Sequence, residues 1–167
     1  MSGMLTNLQL PRYYGHKAVE QAKRYYQQAE ISPVAAHIIE EEGFVPGVYP
    51  DHKNIPTEGI GLTGEFIGKN FFTEVMPVFE RRARNKIKNY DSLPSKGKQA
   101  VMSAIYRGDM GPKTAKLLSQ GKYKEAAKEY LDHSEYKDLK KNNPRNGVVG
   151  RMERNAKVFA SLGDVNT

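Results

Sequence analysis

Residues 42–61 read Glu42-Gly43-Phe44-Val45-Pro46-Gly47-Val48-Tyr49-Pro50-Asp51-His52-Lys53-Asn54-Ile55-Pro56-Thr57-Glu58-Gly59-Ile60-Gly61, and the fold class turns on how this stretch is read. Three prolines and four glycines punctuate it. Its apolar residues recur at about two-residue spacing, which fits short strands and tight turns and does not fit a helix. On both sides the period changes to three and four, the spacing of one helix face. Upstream, Ala18, Val19, Ala22, Tyr25, Tyr26 and Ala29 predict a helix over 16–29. Ser32-Pro33 then looks like a fresh start, a serine to cap unpaired amides and a proline suited to the first helical position, so that 33–42 forms a short helix ended by Gly43.

Downstream, Val75, Val78, Phe79, Ala83 and Ile87 mark a long basic helix near 73–89, with Pro77 tolerable only in its first turn. Further helices are expected over 95–107, 112–120, 123–132 and 148–161. The expected architecture is mainly helical α+β and two-lobed. Residues 33–72 form a small αβ lobe with an antiparallel sheet, and residues 73–160 supply a connecting helix and a helical lobe. Residues 1–32 stand as an N-terminal helical extension and 161–167 as a tail.

The chain has 167 residues and a mass of 18.8 kDa, enough for one two-lobed domain and too few for a multidomain machine. Charged residues make up 27% and mean hydropathy is −0.68, the balance of a globular protein in water. No window approaches a membrane span, and the N-terminus lacks the apolar run of a signal peptide. Cysteine is absent, which excludes disulfides, thiolate metal sites and cysteine nucleophiles.

The net charge of +7 is unevenly placed. Residues 1–60 carry five basic and seven acidic residues, and residues 61–167 carry 21 basic and 12 acidic. A basic body of that kind suits a polyanionic partner: nucleic acid, an anionic membrane surface or a cell-wall polymer.

The chemistry-bearing residues lie in the acidic third. Glu42 ends a helix, where the partial negative charge of the terminus and the neighbours Glu40 and Glu41 favour the protonated carboxyl that a general acid needs. Asp51 follows nine residues later among turns, where solvation keeps it ionised. Two carboxyls in opposite protonation states are the working pair of a glycoside hydrolase. Thr57, six residues beyond Asp51, has a hydroxyl that both donates and accepts and suits holding a water. Composition alone leaves the plainer alternative open, in which the three glutamates are a solvated helix end, Asp51 a turn former and Thr57 an ordinary strand residue.

The spacing Glu-Gly, then Tyr-x-Asp, then Thr-x-Gly-Ile-Gly resembles the phage-type lysozymes, the muramidases of glycoside hydrolase family 24. The resemblance implies Glu42 as general acid, Asp51 as the carboxylate that positions or activates water, and Thr57 as the third catalytic residue. It extends loosely through Tyr90-Asp91-Ser92-Leu93, the helix running to Ile105-Tyr106-Arg107-Gly108, the run Gly121 to Ala127, and Gly147-Val148-Val149-Gly150-Arg151-Met152. It therefore implies Arg151 as support for the catalytic glutamate, and Thr63, Tyr106 and Thr114 as substrate contacts.

The implied function is hydrolysis of bacterial peptidoglycan in phage-driven host lysis, with no cofactor. The chain would be made in the host cytoplasm and would act on the wall after release or delivery. Its partners would be peptidoglycan and the anionic envelope; a monomer, no nucleic acid and no membrane span are expected. Residues 1–32 exceed the family's usual lead-in and suggest a helix that packs on the helical lobe, docks a virion or tail component, or tethers the chain, and that can be deleted without loss of cleavage. Leu62 stands where the family usually has histidine, and Arg107 where an amide side chain is common.

Two other enzyme and binding readings remain. A lytic transglycosylase needs an acid but no water-directing carboxylate, so Asp51 with Thr57 speaks against it. A basic virion or nucleic-acid-binding protein would use Arg81 to Lys88 on phosphates, although a solvated helix face explains that run as well. Gly59 to Gly64 spells GxGxxG, but no continuous apolar strand precedes it, and the four histidines show no paired ligand spacing.

Overall fold

A computed structural model describes residues 10–164. The readings of residues 1–9 in the extension and of 165–167 in the tail lie outside the described residues. The chain forms two compact units, one ending at Val78 and the other beginning at Phe79, so the division falls six residues beyond the boundary expected at 72. The fold is mainly helical α+β with one small antiparallel sheet.

The first unit opens on an isolated antiparallel bridge, in which Tyr13 N donates to Phe44 O at 2.8 Å and Phe44 N to Tyr13 O at 2.9 Å. Helix α1, Gly15–Tyr25, buries Ala18, Val19 and Ala22 on the face the spacing predicts. It stops four residues before the expected end at 29, because Gln27 takes a left-handed φ of 53° and the chain turns away. Asn70 Nδ2 then donates to the freed carbonyl of Tyr26. Helix α2, Pro33–Glu42, starts as the Ser-Pro pair predicts: Ser32 Oγ accepts from Ala35 N at 3.1 Å. Val34, Ala35, Ile38 and Ile39 are buried.

Strands β1 (Val45–Pro50), β2 (Pro56–Gly59) and β3 (Leu62–Thr63) follow as a meander in the order β1-β2-β3. Tyr49 pairs with Thr57, and Thr57 in turn with Thr63. The register slips between Val45 and Val48, around Pro46, which has no N–H to give the ladder. Helix α1 packs on α2 and on β1. The described part of the extension, for which packing on the helical lobe, partner docking or a tether was expected, thus packs within the first unit, to which it contributes the buried Ala18, Val19 and Ala22.

Helix α3, Met76–Lys86, is shorter than expected at both ends. Phe71–Val75 forms a widened π turn before it, capped by Asn70 Oδ1, which accepts from Phe72 N and Thr73 N. Pro77 explains the arrangement: it sits in the first turn of α3, where its missing N–H and its ring are tolerated.

The second unit contains α4 (Ser95–Arg107), α5 (Pro112–Ser119), α6 (Tyr123–Leu131), α7 (Ser134–Asn142) and α8 (Gly147–Ser161). Helix α8 packs on α4, α6 and α7, and carries the buried Val149, Met152, Ala156 and Phe159. Helix α7 has no expected counterpart. Its nine residues include no buried one, and only Tyr136 and Leu139 are half-buried, so its apolar signal is too thin to read. In the tail, Leu162 is buried, and its Cδ2 would lie 2.7 Å from a Cβ added to Gly97. Among the described residues, no helix is long and apolar enough to cross a membrane.

Candidate functional site

Glu42, Asp51, Thr57 and Thr63 all fall on the first unit, whereas Tyr106, Thr114 and Arg151 fall on the second. Within the first unit the local folding explains each placement. Glu42 is the last residue of α2 and is half-exposed. The helix ends there because Gly43 adopts φ 78°, and a Cβ on it would lie 3.0 Å from Tyr13 O and 3.3 Å from the Tyr14 ring. Only glycine fits both the dihedral and the approach of the N-terminal segment.

Asp51 begins the turn between β1 and β2. Its Oδ1 accepts from Lys53 N and from Ile55 N, each at 2.8 Å. The Ile55 amide bond is the first cause that holds this carboxyl below its ordinary range, with help from Lys53 N and from the charges of His52 and Lys53. Both bonds go to Oδ1, which leaves Oδ2 for another donor. Thr57 lies one strand position inside β2 and is only 4% exposed. Its Oγ1 donates to Ile55 O at 2.9 Å, and the same carbonyl accepts from Asp51 N at 3.0 Å.

The Ile55 peptide is therefore the hub that fixes Asp51 and Thr57 relative to each other. Sequence reading missed it, because its contribution is made wholly by the backbone. Thr57 spends its one proton on Ile55 O, so its lone pairs are free to accept from a water. The exposed Thr63 lies directly across the ladder from Thr57.

Leu62 is 2% exposed, a core residue. On the same strand as Thr57 sits a residue that sequence reading passed over. Glu58 is 7% exposed, and its two oxygens accept from Tyr25 OH and Gly68 N, each at 2.7 Å. Burial, followed by the bond and the charge of Glu58, pushes the Tyr25 hydroxyl up to about 12. Alternation along a strand puts Thr57 and Glu58 on opposite faces of β2.

In the second unit Arg151 is 9% exposed. Its Nε donates to Ser103 Oγ at 3.0 Å and one terminal nitrogen to Ser103 O at 3.2 Å. Asn155 Nδ2 bridges Ser103 Oγ and the Tyr130 hydroxyl, which donates to Asp109 Oδ1 at 2.7 Å. Arg107 pairs with Asp109 at 3.3 Å and also with Glu135, so it serves two carboxylates. Burial raises the pKa of Asp109 in spite of the Tyr130 bond and the charges of Arg107 and Arg151. Nothing in the sequence pattern joins Ser103, Asp109, Tyr130, Arg151 and Asn155, which are spread over more than fifty residues.

Tyr106 is half-buried, its ring tilted against Phe79 at 4.7 Å. Thr114 is 3% exposed and lines a cavity of about 230 Å³ with Asp109, Tyr130 and His133. Lys86, Lys88 and Lys116 line a second cavity, of about 450 Å³, with Ser119 and Gln120. Among the described residues, no group of three or more histidines and carboxylates is placed to hold a metal ion. The glycines of the GxGxxG run end β2, form the turn to β3 and start a single 3-10 turn, Gly64–Phe66.

Compared with known proteins, the chain matches no family model, no curated protein and no solved structure.

Proposed function

We propose that this chain is a muramidase that hydrolyses the β-1,4 bond from N-acetylmuramic acid to N-acetylglucosamine in peptidoglycan. The observation that carries the reading is the Asp51–Ile55–Thr57 hub. It joins a half-exposed carboxylate whose charged form is favoured to a hydroxyl with spare acceptor capacity, at the sheet that directly follows the helix ending in Glu42. The family-24 spacing of the three residues supports the same assignment.

In the proposed mechanism Glu42 gives its proton to the leaving glycosidic oxygen as the C1–O bond breaks. A water donates to Asp51 Oδ2 and to Thr57 Oγ1, so that its lone pair is directed at C1. As the new C1–O bond forms, the water's proton passes to Asp51. Attack from the face opposite the leaving group inverts the anomeric centre, and a carboxyl separation of about 6.5–9.5 Å suits that course, against about 5–5.5 Å for retention. Thr63, beside Thr57 on the ladder, would make a glycan contact. No step requires a cofactor.

The charge division supports a wall-bound role. Residues 79–167 carry 20 basic and 10 acidic residues, a net of +10, while residues 1–78 carry 6 basic and 9 acidic, a net of −3. The second unit would hold the enzyme on an anionic envelope while the first performs the chemistry, consistent with a phage lysin delivered to the periplasm or wall.

The test is clearing of outer-membrane-stripped cells by wild type and by Glu42→Gln at matched concentration. Clearing by wild type alone supports the reading. Equal clearing by both would remove Glu42 from the mechanism and point to lysis driven by charge.

A further inference from the structure

The N-terminal segment fills the space beside three glycines of the candidate catalytic elements, Gly43, Gly47 and Gly59. Tyr13 and Tyr14 occupy the space beside Gly43, next to Glu42. The Tyr26 hydroxyl lies 2.7 Å from where a Cβ on Gly59 would be, two residues past Thr57. The rings of Tyr25 and Tyr26 pack edge-on against Phe44, and Arg12 lies over the Tyr49 ring at 5.2 Å, the residue paired with Thr57. A buried carboxylate lies in this frame, Glu58, whose oxygens each take one short bond, from α1 through Tyr25 and from the loop after β3 through Gly68.

A buried carboxylate is costly unless its oxygens are hydrogen-bonded, and removing one donor leaves the charge under-solvated. Glu58 therefore cannot shift without breaking a bond, and the strand that carries it cannot shift either. We infer that Glu58, clamped by Tyr25 and Gly68, is a positioning residue that fixes the β2 backbone and through it the orientation of the Thr57 hydroxyl. The N-terminal helix is then a brace of the site, not a tether. This inference rests on the role proposed for Thr57 in catalysis, but the geometric part stands without it.

The test uses the full chain as Tyr25→Phe, which keeps the ring and removes only the hydroxyl, and as Glu58→Gln, which keeps the shape and removes the charge. The first readout is the χ1 rotamer of Thr57 from three-bond NMR couplings, which needs no enzyme activity. Wild type should hold a single rotamer. Both variants should average it while Ile38 and Phe159 keep their wild-type shifts. The second readout is kinetics on soluble glycan fragments, where kcat should fall about tenfold with KM within about twofold, as expected for a displaced catalytic group. If Glu58→Gln does not fold, Tyr25→Phe decides alone.

A single unchanged Thr57 rotamer in a folded variant overturns the inference, as does a loss carried by KM with kcat intact. An inactive wild type with an averaged rotamer in the variants would sink the proposed function and leave the positioning role standing.

Discussion

Asp51 in the first unit and Asp109 in the second are both carboxylates held by named donors, yet their surroundings drive them in opposite directions. Asp51 sits in an open turn and takes two backbone N–H bonds, which favour its charged form. Asp109 is 6% exposed, and the burial that disfavours its charge outweighs the Tyr130 bond and two nearby arginines. The difference separates two uses of a carboxylate. The first leaves a charged group half-exposed, as the proposed reaction would need. The second spends the group on tying helices together, in a network running from Asp109 through Tyr130 and Asn155 to Ser103 and Arg151.

The sharpest way to break this contrast is to remove one carboxyl from the proposed site and one from the buried network. Glu42→Gln should lower glycan cleavage by about 10²–10⁴-fold, the usual contribution of a general acid, and leave the melting temperature near wild type. Asp109→Asn should leave the cleavage mechanism alone and change stability. Activity assays beside thermal melts of the two purified variants decide the matter.

In the second unit, Phe159→Ala removes a fully buried ring that packs edge-on against Tyr130, and should cost about 3–5 kcal/mol in denaturant unfolding. Tyr130→Phe leaves Asp109 with one donor fewer, and the expected cost is about 1–3 kcal/mol. If the two rank in reverse, the polar network and not the apolar core dominates this unit.

The pH dependence of stability should differ in sign between the two carboxylates. Asp51 has a lowered folded pKa, so its contribution is present above the ordinary carboxylate range and is lost as pH falls through the lowered value. Asp109 has a raised one, so its contribution is present below the ordinary range and is lost as pH rises through the raised value. Melting curves across acid pH should therefore lose a slope of opposite sign in Asp51→Asn and in Asp109→Asn. The smallest expected effect is electrostatic. Replacing Lys86, Lys88 and Lys116 by alanine should weaken co-sedimentation with anionic wall material at low salt, and the difference should vanish at high salt.

How far the sequence could be read follows the same physical division. Short-range signals were legible: the Ser32 cap, Pro33 at the first helical position, the stop at Gly43, and the shift to short strands after it. The Glu42, Asp51 and Thr57 spacing placed one residue at a helix end and two on or beside the sheet, where the fold has them. Long-range bonds were not legible. Tyr25 reaches Glu58 across 33 residues, and Arg151 reaches Ser103 across 48, with no periodicity to announce either. The N-terminal helix was read as an appendage because its amphipathic face names no partner. The structure assigns that face to α2 and β1. Helix α7 escaped because a helix that buries no residue leaves almost no hydrophobic period.

The most direct test of the central claim is analysis of the ends released from purified peptidoglycan. The account predicts fragments with a reducing N-acetylmuramic acid end, released first as the α-anomer because the reaction inverts, and no such product from Glu42→Gln. An anhydro-muramic end, or no glycan cleavage by the folded wild-type protein, would contradict it.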